Sequence, residues 1–75
     1  MALKEARAEA GLSQSQLADL AGISIGMLRH YENGFKDING AKLKTLLKIC
    51  KVLNCGLQDI ITDEETLELL DELNY

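Results

Sequence analysis

The sequence predicts an all-α fold, a small bundle of short helices, and three observations predict it. Its 75 residues include no proline and few aromatics, while 47% are apolar, a composition that suits helices and offers little to a β-sandwich. Helix punctuation recurs: Ser13 with Gln16 and Thr62 with Glu65 have capping-box spacing, and Gly11, Gly22 and Gly34 each follow a helix-forming run. The longest apolar pattern has a helical period, with Leu43, Leu46, Leu47, Cys50 and Leu53 at i, i+3, i+4, i+7 and i+10. A chain this short hides only roughly 60% of its unfolded surface, so it has room for one core.

Each element can be justified in turn. Leu3 to Ala10 is rich in alanine, glutamate and lysine, and Gly11 follows where a C-terminal cap favours positive φ. Ser13 opens a second helix from Gln14 to Ala21, which Gly22 stops. Ser24 caps a third, from Ile25 through Asn33 to the stop at Gly34. "FKDING" lacks periodicity and reads as a loop, with Asn39 as the cap of a fourth helix running from Gly40 to Asn54. A single helical turn fits "LQDII", and the Thr62–Glu65 box opens a last helix, "DEETLELLDEL". The expected division is a body over residues 1–61 and an acidic amphipathic helix over 62–75.

Charge follows the same division. The net charge is −4, but residues 1–54 hold every lysine and arginine and sum to +3, whereas residues 55–75 hold seven acids and no base. A mildly basic body can meet phosphates; the tail cannot. Lys44, Lys48 and Lys51 recur at helical spacing away from the leucines, as a solvated face does, which leaves Lys36 and then Lys42 as the better backbone-contact candidates. "MALKEARAEAG" carries charges where a signal peptide needs its apolar core, and no apolar run approaches the ~20 residues of a membrane span. A cytoplasmic protein without a membrane partner is expected.

Enzyme chemistry finds little support. Cys50 and Cys55 fit neither a Cys-x-x-Cys pair nor a zinc knuckle and read as structural thiols. His30 has no nucleophile, third group or metal-ligand cluster to work with, and no glycine-rich phosphate loop is present. No enzyme activity, cofactor, metal or small-molecule substrate is expected.

The informative stretch is Leu12 to Gly34, "LSQSQLADLAGISIGMLRHYENG". Two helices joined by a tight turn cross closely when the contact residue is small and the turn residue tolerates positive φ. Ala18 meets the first condition and Gly22 the second. Leu17, Ala21, Ile23, Leu28 and Tyr31 then point inward, giving a helix-turn-helix whose second helix can project into a major groove. Ile25, Gly26, Arg29, His30 and Asn33 fall on its opposite side, and Met27 at its edge.

Through "LKEARAEAGLSQSQLADLAGISIGMLRHYENG" and "LKTLLKICKVLNCGLQDII", residues 3–61, the chain resembles the Cro and phage-repressor-like helix-turn-helix regulators, the Xre family. The resemblance implies a five-helix, lambda-repressor-like domain carrying an extra acidic helix, and a repressor-type, sequence-specific partner of double-stranded DNA. It implies DNA contacts at Gln14, Ser24, Ile25, Gly26, Arg29, His30, Asn33 and Lys36, and a structural ion pair between Arg7 and Glu32. Ile25 and Gly26 depart from the amide and basic side chains usual at the first recognition positions. An isoleucine can press on a thymine methyl and a glycine admits close backbone approach, leaving hydrogen bonding to Arg29 and His30.

The stripe of Leu67, Leu70 and Leu73, with Leu69 beside it, must be covered, either by the body or by a second copy in a homodimer joined through the C-terminal region. The alternative to a DNA-binding regulator is a protein-interaction module, antitoxin-like or bound to a transcription component, that keeps the fold without base readout and uses Ile25, Met27 and the tail leucines.

Overall fold

Five α-helices and two 3-10 turns follow one another along residues 2–73, the span that the structure, a computed structural model, describes. They are α1 (Ala2–Glu9), α2 (Gln14–Ala21), α3 (Ile25–Glu32), a 3-10 turn (Ile38–Gly40), α4 (Leu43–Leu53), a second 3-10 turn (Leu57–Asp59) and α5 (Glu64–Leu73). The single turn expected at "LQDII" takes the 3-10 form. The last two residues of the expected tail, 74 and 75, lie outside the described span.

Six fully buried aliphatic side chains form the centre of the core, each supplied by a different segment: Leu3, Leu17, Leu28, Ile38, Ile49 and Ile60. Every residue of the buried cluster lies at Ile61 or earlier, and α5 supplies none. The body is therefore closed before α5 begins, with Leu67 resting on it from outside.

The turn between α2 and α3 has the geometry that its residue types allow. Gly22 adopts φ 68°, and its N–H donates to the carbonyls of Ala18 and Asp19. The Ile23 N–H also returns to Ala18, at 3.0 Å. Ala18 is buried where the helices meet, beside Leu17, Ala21, Leu28 and Tyr31. Both caps form: Ser13 and Gln16 make a reciprocal capping box, and Ser24 Oγ accepts from the Met27 N–H at 3.0 Å.

Two expected caps are overturned, and one residue accounts for both. Asn39 lies inside the first 3-10 turn, its Oδ1 accepting from the N–H groups of Thr62 (2.9 Å) and Asp63 (3.1 Å). Its Nδ2 donates to Asp37 Oδ1 and Thr62 Oγ1. With its amide spent across the fold, Asn39 caps nothing, and α4 starts at Leu43 behind Lys42, which makes no side-chain cap. Thr62 is likewise occupied, so Asp63 takes over at the start of α5, its Oδ2 accepting from Thr66 N (3.0 Å) and Thr66 Oγ1 (2.6 Å). These bonds from Thr66 hold the Asp63 carboxyl below its ordinary range.

The buried face of α4 is also rotated from the expected one. Leu46, Ile49 and Cys50 are buried and Leu53 half-buried, but Leu43 and Leu47 are exposed. Cys50 and Cys55 are free thiols. Burial pushes the Cys50 thiol up to about 12, with Cys55 and Asp59 adding to the shift, and burial also raises Cys55.

Two outcomes follow from this packing. Asn39→Ala removes the acceptor of two amides and should cost about 1–2 kcal/mol, with faster amide exchange confined to residues 62–66. At pH 8, Cys50 in the folded protein should react with a thiol reagent on the order of 1000-fold more slowly than in denaturant, because so little thiolate is present.

Candidate nucleic-acid interface

Helix α3 turns one side to the core and the other to solvent. Leu28 and Tyr31 are buried, whereas Ser24, Gly26, Arg29, His30, Asn33 and Lys36 are exposed. The two apolar members of the set behave differently from the rest. Ile25 and Met27 are half-buried against the core cluster, and Ile25 shares a shallow depression with Ala18, Asp19 and Ile23. An isoleucine at the first position of α3 thus spends part of its surface bracing the turn, and the outward face is mainly polar.

Gly26 has no structural reason to be a glycine. It sits in the first turn of α3 without positive φ, and a Cβ placed there would meet no atom within 4 Å. Glycine in a helix costs roughly 0.5–1 kcal/mol relative to alanine. The position gives up that stability without any packing demand from within the chain.

Below this face lies a connected set of polar groups. Arg7 Nε donates to Glu32 Oε2 at 2.7 Å and Arg7 Nη2 to Glu32 Oε1 at 3.0 Å, a bidentate pair. Arg7 Nη1 also donates to the Leu12 carbonyl at 2.7 Å, fixing the turn that leads into α2. Glu32 Oε1 further accepts from Gln14 Nε2 at 3.1 Å, and Gln14 Oε1 accepts from Arg29 Nε at 3.3 Å. The series Arg7, Glu32, Gln14, Arg29 ties α1, α2 and α3 together and ends on the exposed face.

Burial opposes the charge on Glu32, but the hydrogen bonds from Arg7 and Gln14, with the charges of Arg7 and Lys4, outweigh it and hold the carboxyl below its ordinary value. The Arg7 guanidinium is raised by its bond to Glu32 against a smaller desolvation cost. Glu32 is the single buried charged residue among the described residues.

Gln14 therefore does more than its position at the head of α2 suggested. The capping box takes the Gln16 N–H, and helix geometry leaves the first amides of α2 facing outward, but the Gln14 side chain is already engaged on both sides. Its carboxamide braces Arg29 through Oε1 and Glu32 through one Nε2–H, so the second Nε2–H and the leading backbone amides remain as donors.

Lys4 and Phe35 join the face without having been singled out from sequence. Lys4 lines one depression with Gln14, Arg29, Glu32 and Asn33; its place three residues before Arg7 in a helix was the available signal. Phe35 is 75% exposed, with its ring centroid 4.7 Å from that of His30 and the planes at 37°. Asn33 Oδ1 accepts its N–H at 2.9 Å, and the Lys36 N–H donates to the His30 carbonyl at 3.0 Å, so the loop is folded back on α3. A lone aromatic in a stretch without periodicity gave no register from which to place it.

Breaking the pair has an expected cost and pH signature. Glu32→Ala or Arg7→Ala strands the other charge and should cost about 3–5 kcal/mol, most of the stability of a domain this size. Since the Glu32 carboxyl is depressed on folding, its stabilising contribution is complete above the unfolded value near 4.5 and is lost as pH falls through the folded value. Thermal melts from pH 7 to pH 3 should show that loss in the wild type, while Glu32→Gln, less stable at pH 7, should lack this component below pH 4.5.

Among the described residues no helix is long and apolar enough to cross a membrane, and no group of three or more His, Cys, Asp or Glu could hold a metal ion. In comparison with known proteins, the family model described as "Helix-turn-helix" (HTH_3) matches over residues 3–60. No curated protein and no solved structure matches. The matched span takes in all the buried core except Ile61, together with α2, the Gly22 turn and α3. The chain belongs to the Cro/C1-type helix-turn-helix family, a family of DNA-binding regulators.

Proposed function

We propose that the protein is a sequence-specific, repressor-type regulator that lays α3 and its cap Asn33, residues 25–33, in the major groove of duplex DNA and acts as a homodimer joined through its C-terminal region. The observation that carries this reading is the outward face of α3: Gly26, Arg29, His30 and Asn33 on one exposed side, over a helix fixed from below by Leu28, Tyr31 and Glu32.

Roles can be assigned within that reading. Arg29, directed by Gln14, and His30 hydrogen-bond base edges, the arginine favouring guanine. Gly26 lets the α3 backbone approach closely, and the exposed edge of Ile25 touches a thymine methyl. Ser24, the leading amides of α2 at Gln14, Asn33 and Lys36 meet phosphates, and Lys4 and Phe35 extend the contact along the backbone. Each copy presents one α3 helix, and half-sites lie one duplex turn, ~34 Å, apart, so a two-fold symmetric site is met by two copies. The half-burial of Ile25 and Met27 removes part of the apolar patch that the alternative, a protein-interaction module using them with the tail leucines, relies on, though Leu69 and Leu73 remain exposed.

Selection from a random duplex library at low salt, followed by gel shift, should recover a two-fold symmetric motif. Arg29→Ala, which leaves the Arg7–Glu32 pair intact, should cost about 1–3 kcal/mol of binding and relax the preference at one position. Gly26→Ala separates interface from fold: the protein should gain about 0.5–1 kcal/mol in stability and bind DNA more weakly. No binding at low ionic strength, or Gly26→Ala binding as well as wild type, would count against α3 as the reading helix.

A further inference from the structure

We propose that in the homodimer the leucines of α5 in one protomer seat on the exposed leucines of α4 in the other, reciprocally, with the acids of α5 facing the lysines of α4. This rests on the dimer reading above and replaces the simpler picture of α5 against α5. Helix α5 has no buried residue; Leu67, Leu70 and Leu73 line one depression with Leu57, yet Leu73 remains 71% exposed and Leu69, four residues before it, 54%. On α4, Leu43 and Leu47, also four apart, are 61% and 50% exposed. Each helix thus leaves a two-leucine stripe uncovered, and the helices, 11 and 10 residues, have nearly equal lengths of ~15 Å.

Charge selects the pairing. Helix α5 carries Glu64, Glu65, Glu68, Asp71 and Glu72 and no base, so two copies of it laid together gather like charges about a modest apolar seam. Helix α4 carries Lys44, Lys48 and Lys51 and no acid. Helical geometry puts Glu65 and Glu72 along one edge of the Leu69–Leu73 stripe and Lys44 and Lys51 along one edge of the Leu43–Leu47 stripe. Leu20 of α2, also exposed, borders Lys48 and Lys51 and widens the basic, apolar side.

A surface holding both members of such a pair is self-complementary about a two-fold axis, since each protomer gives its α5 and receives the other's. The leucines supply the burial and the charges choose the partner helix. Asn39, four residues before the start of α4 at Leu43, accepts from Thr62 and Asp63 just ahead of α5, so the beginnings of the two helices share one structural anchor.

Sedimentation equilibrium of the full chain tests this. The wild type should dimerise at about 50 mM salt and dissociate ~10-fold more readily at about 500 mM, since exposed ion pairs are screened. The triple variant Lys44→Glu/Lys48→Glu/Lys51→Glu should be monomeric, as should Glu65→Lys/Glu68→Lys/Glu72→Lys. Combining all six should restore the dimer, and so should mixing the two triple variants. Circular dichroism checks that each variant is folded, and if one is not, the salt dependence of the wild type decides. A wild type that stays monomeric overturns both this inference and the dimer reading. A dimer that tightens with salt, or that survives lysine reversal unchanged, overturns this inference alone and leaves α5 against α5.

Discussion

Glu32 is an acid placed at the end of a helix in a domain that cannot spare much stability, and the arrangement of the first three helices depends on how its charge is satisfied. Taking a carboxylate out of water is costly, and the cost is met here by two donors of Arg7 and one of Gln14. Those donors come from α1 and α2, so satisfying the charge fixes both helices against α3. A hydrophobic residue in place of Glu32 could pack the same space; it could not demand those partners. The pair is better understood as setting orientation than as adding stability, and its last link, Gln14 to Arg29, carries that orientation to the surface.

The outward face of α3 then makes sense as a set of departures from what the fold alone would choose. A fold selected only for stability would have alanine at residue 26, would hide Phe35, and would not direct an arginine outward with a half-buried glutamine. Each departure is small. They fall together on the one side of the helix that the core does not need, the side on which the proposed duplex contact relies.

Sequence showed the local rules well and the long-range ones poorly. The capping box at Ser13, the Ser24 cap and the left-handed Gly22 depend on residues within four positions of one another, and all form as expected. The role of Asn39 depends on Thr62 and Asp63, 23 and 24 residues away, so a residue suited to capping its neighbour was spent elsewhere. Periodicity placed Leu43 and Leu47 on one side of α4, yet a period says which residues share a face and not how wide a neighbour covers it. Ile25 was assigned to the surface by the same helical wheel, but at the first position of α3 the turn itself lies close enough to shelter it.

The division of charge along the chain connects these parts. A domain that meets phosphates benefits from a basic surface near α3 and is harmed by acids there, and here seven acids lie beyond residue 54. Five of them sit on α5, outside a core that ends at Ile61, so the acidic helix is not required by the packing of the body. Its start is nevertheless held by Asn39 and capped by Asp63, which is hard to reconcile with a tail left to wander. A helix that is anchored, apolar on one stripe and uniformly acidic on the rest is built to meet something basic, and among the described residues α4 is the helix that offers lysines beside uncovered leucines.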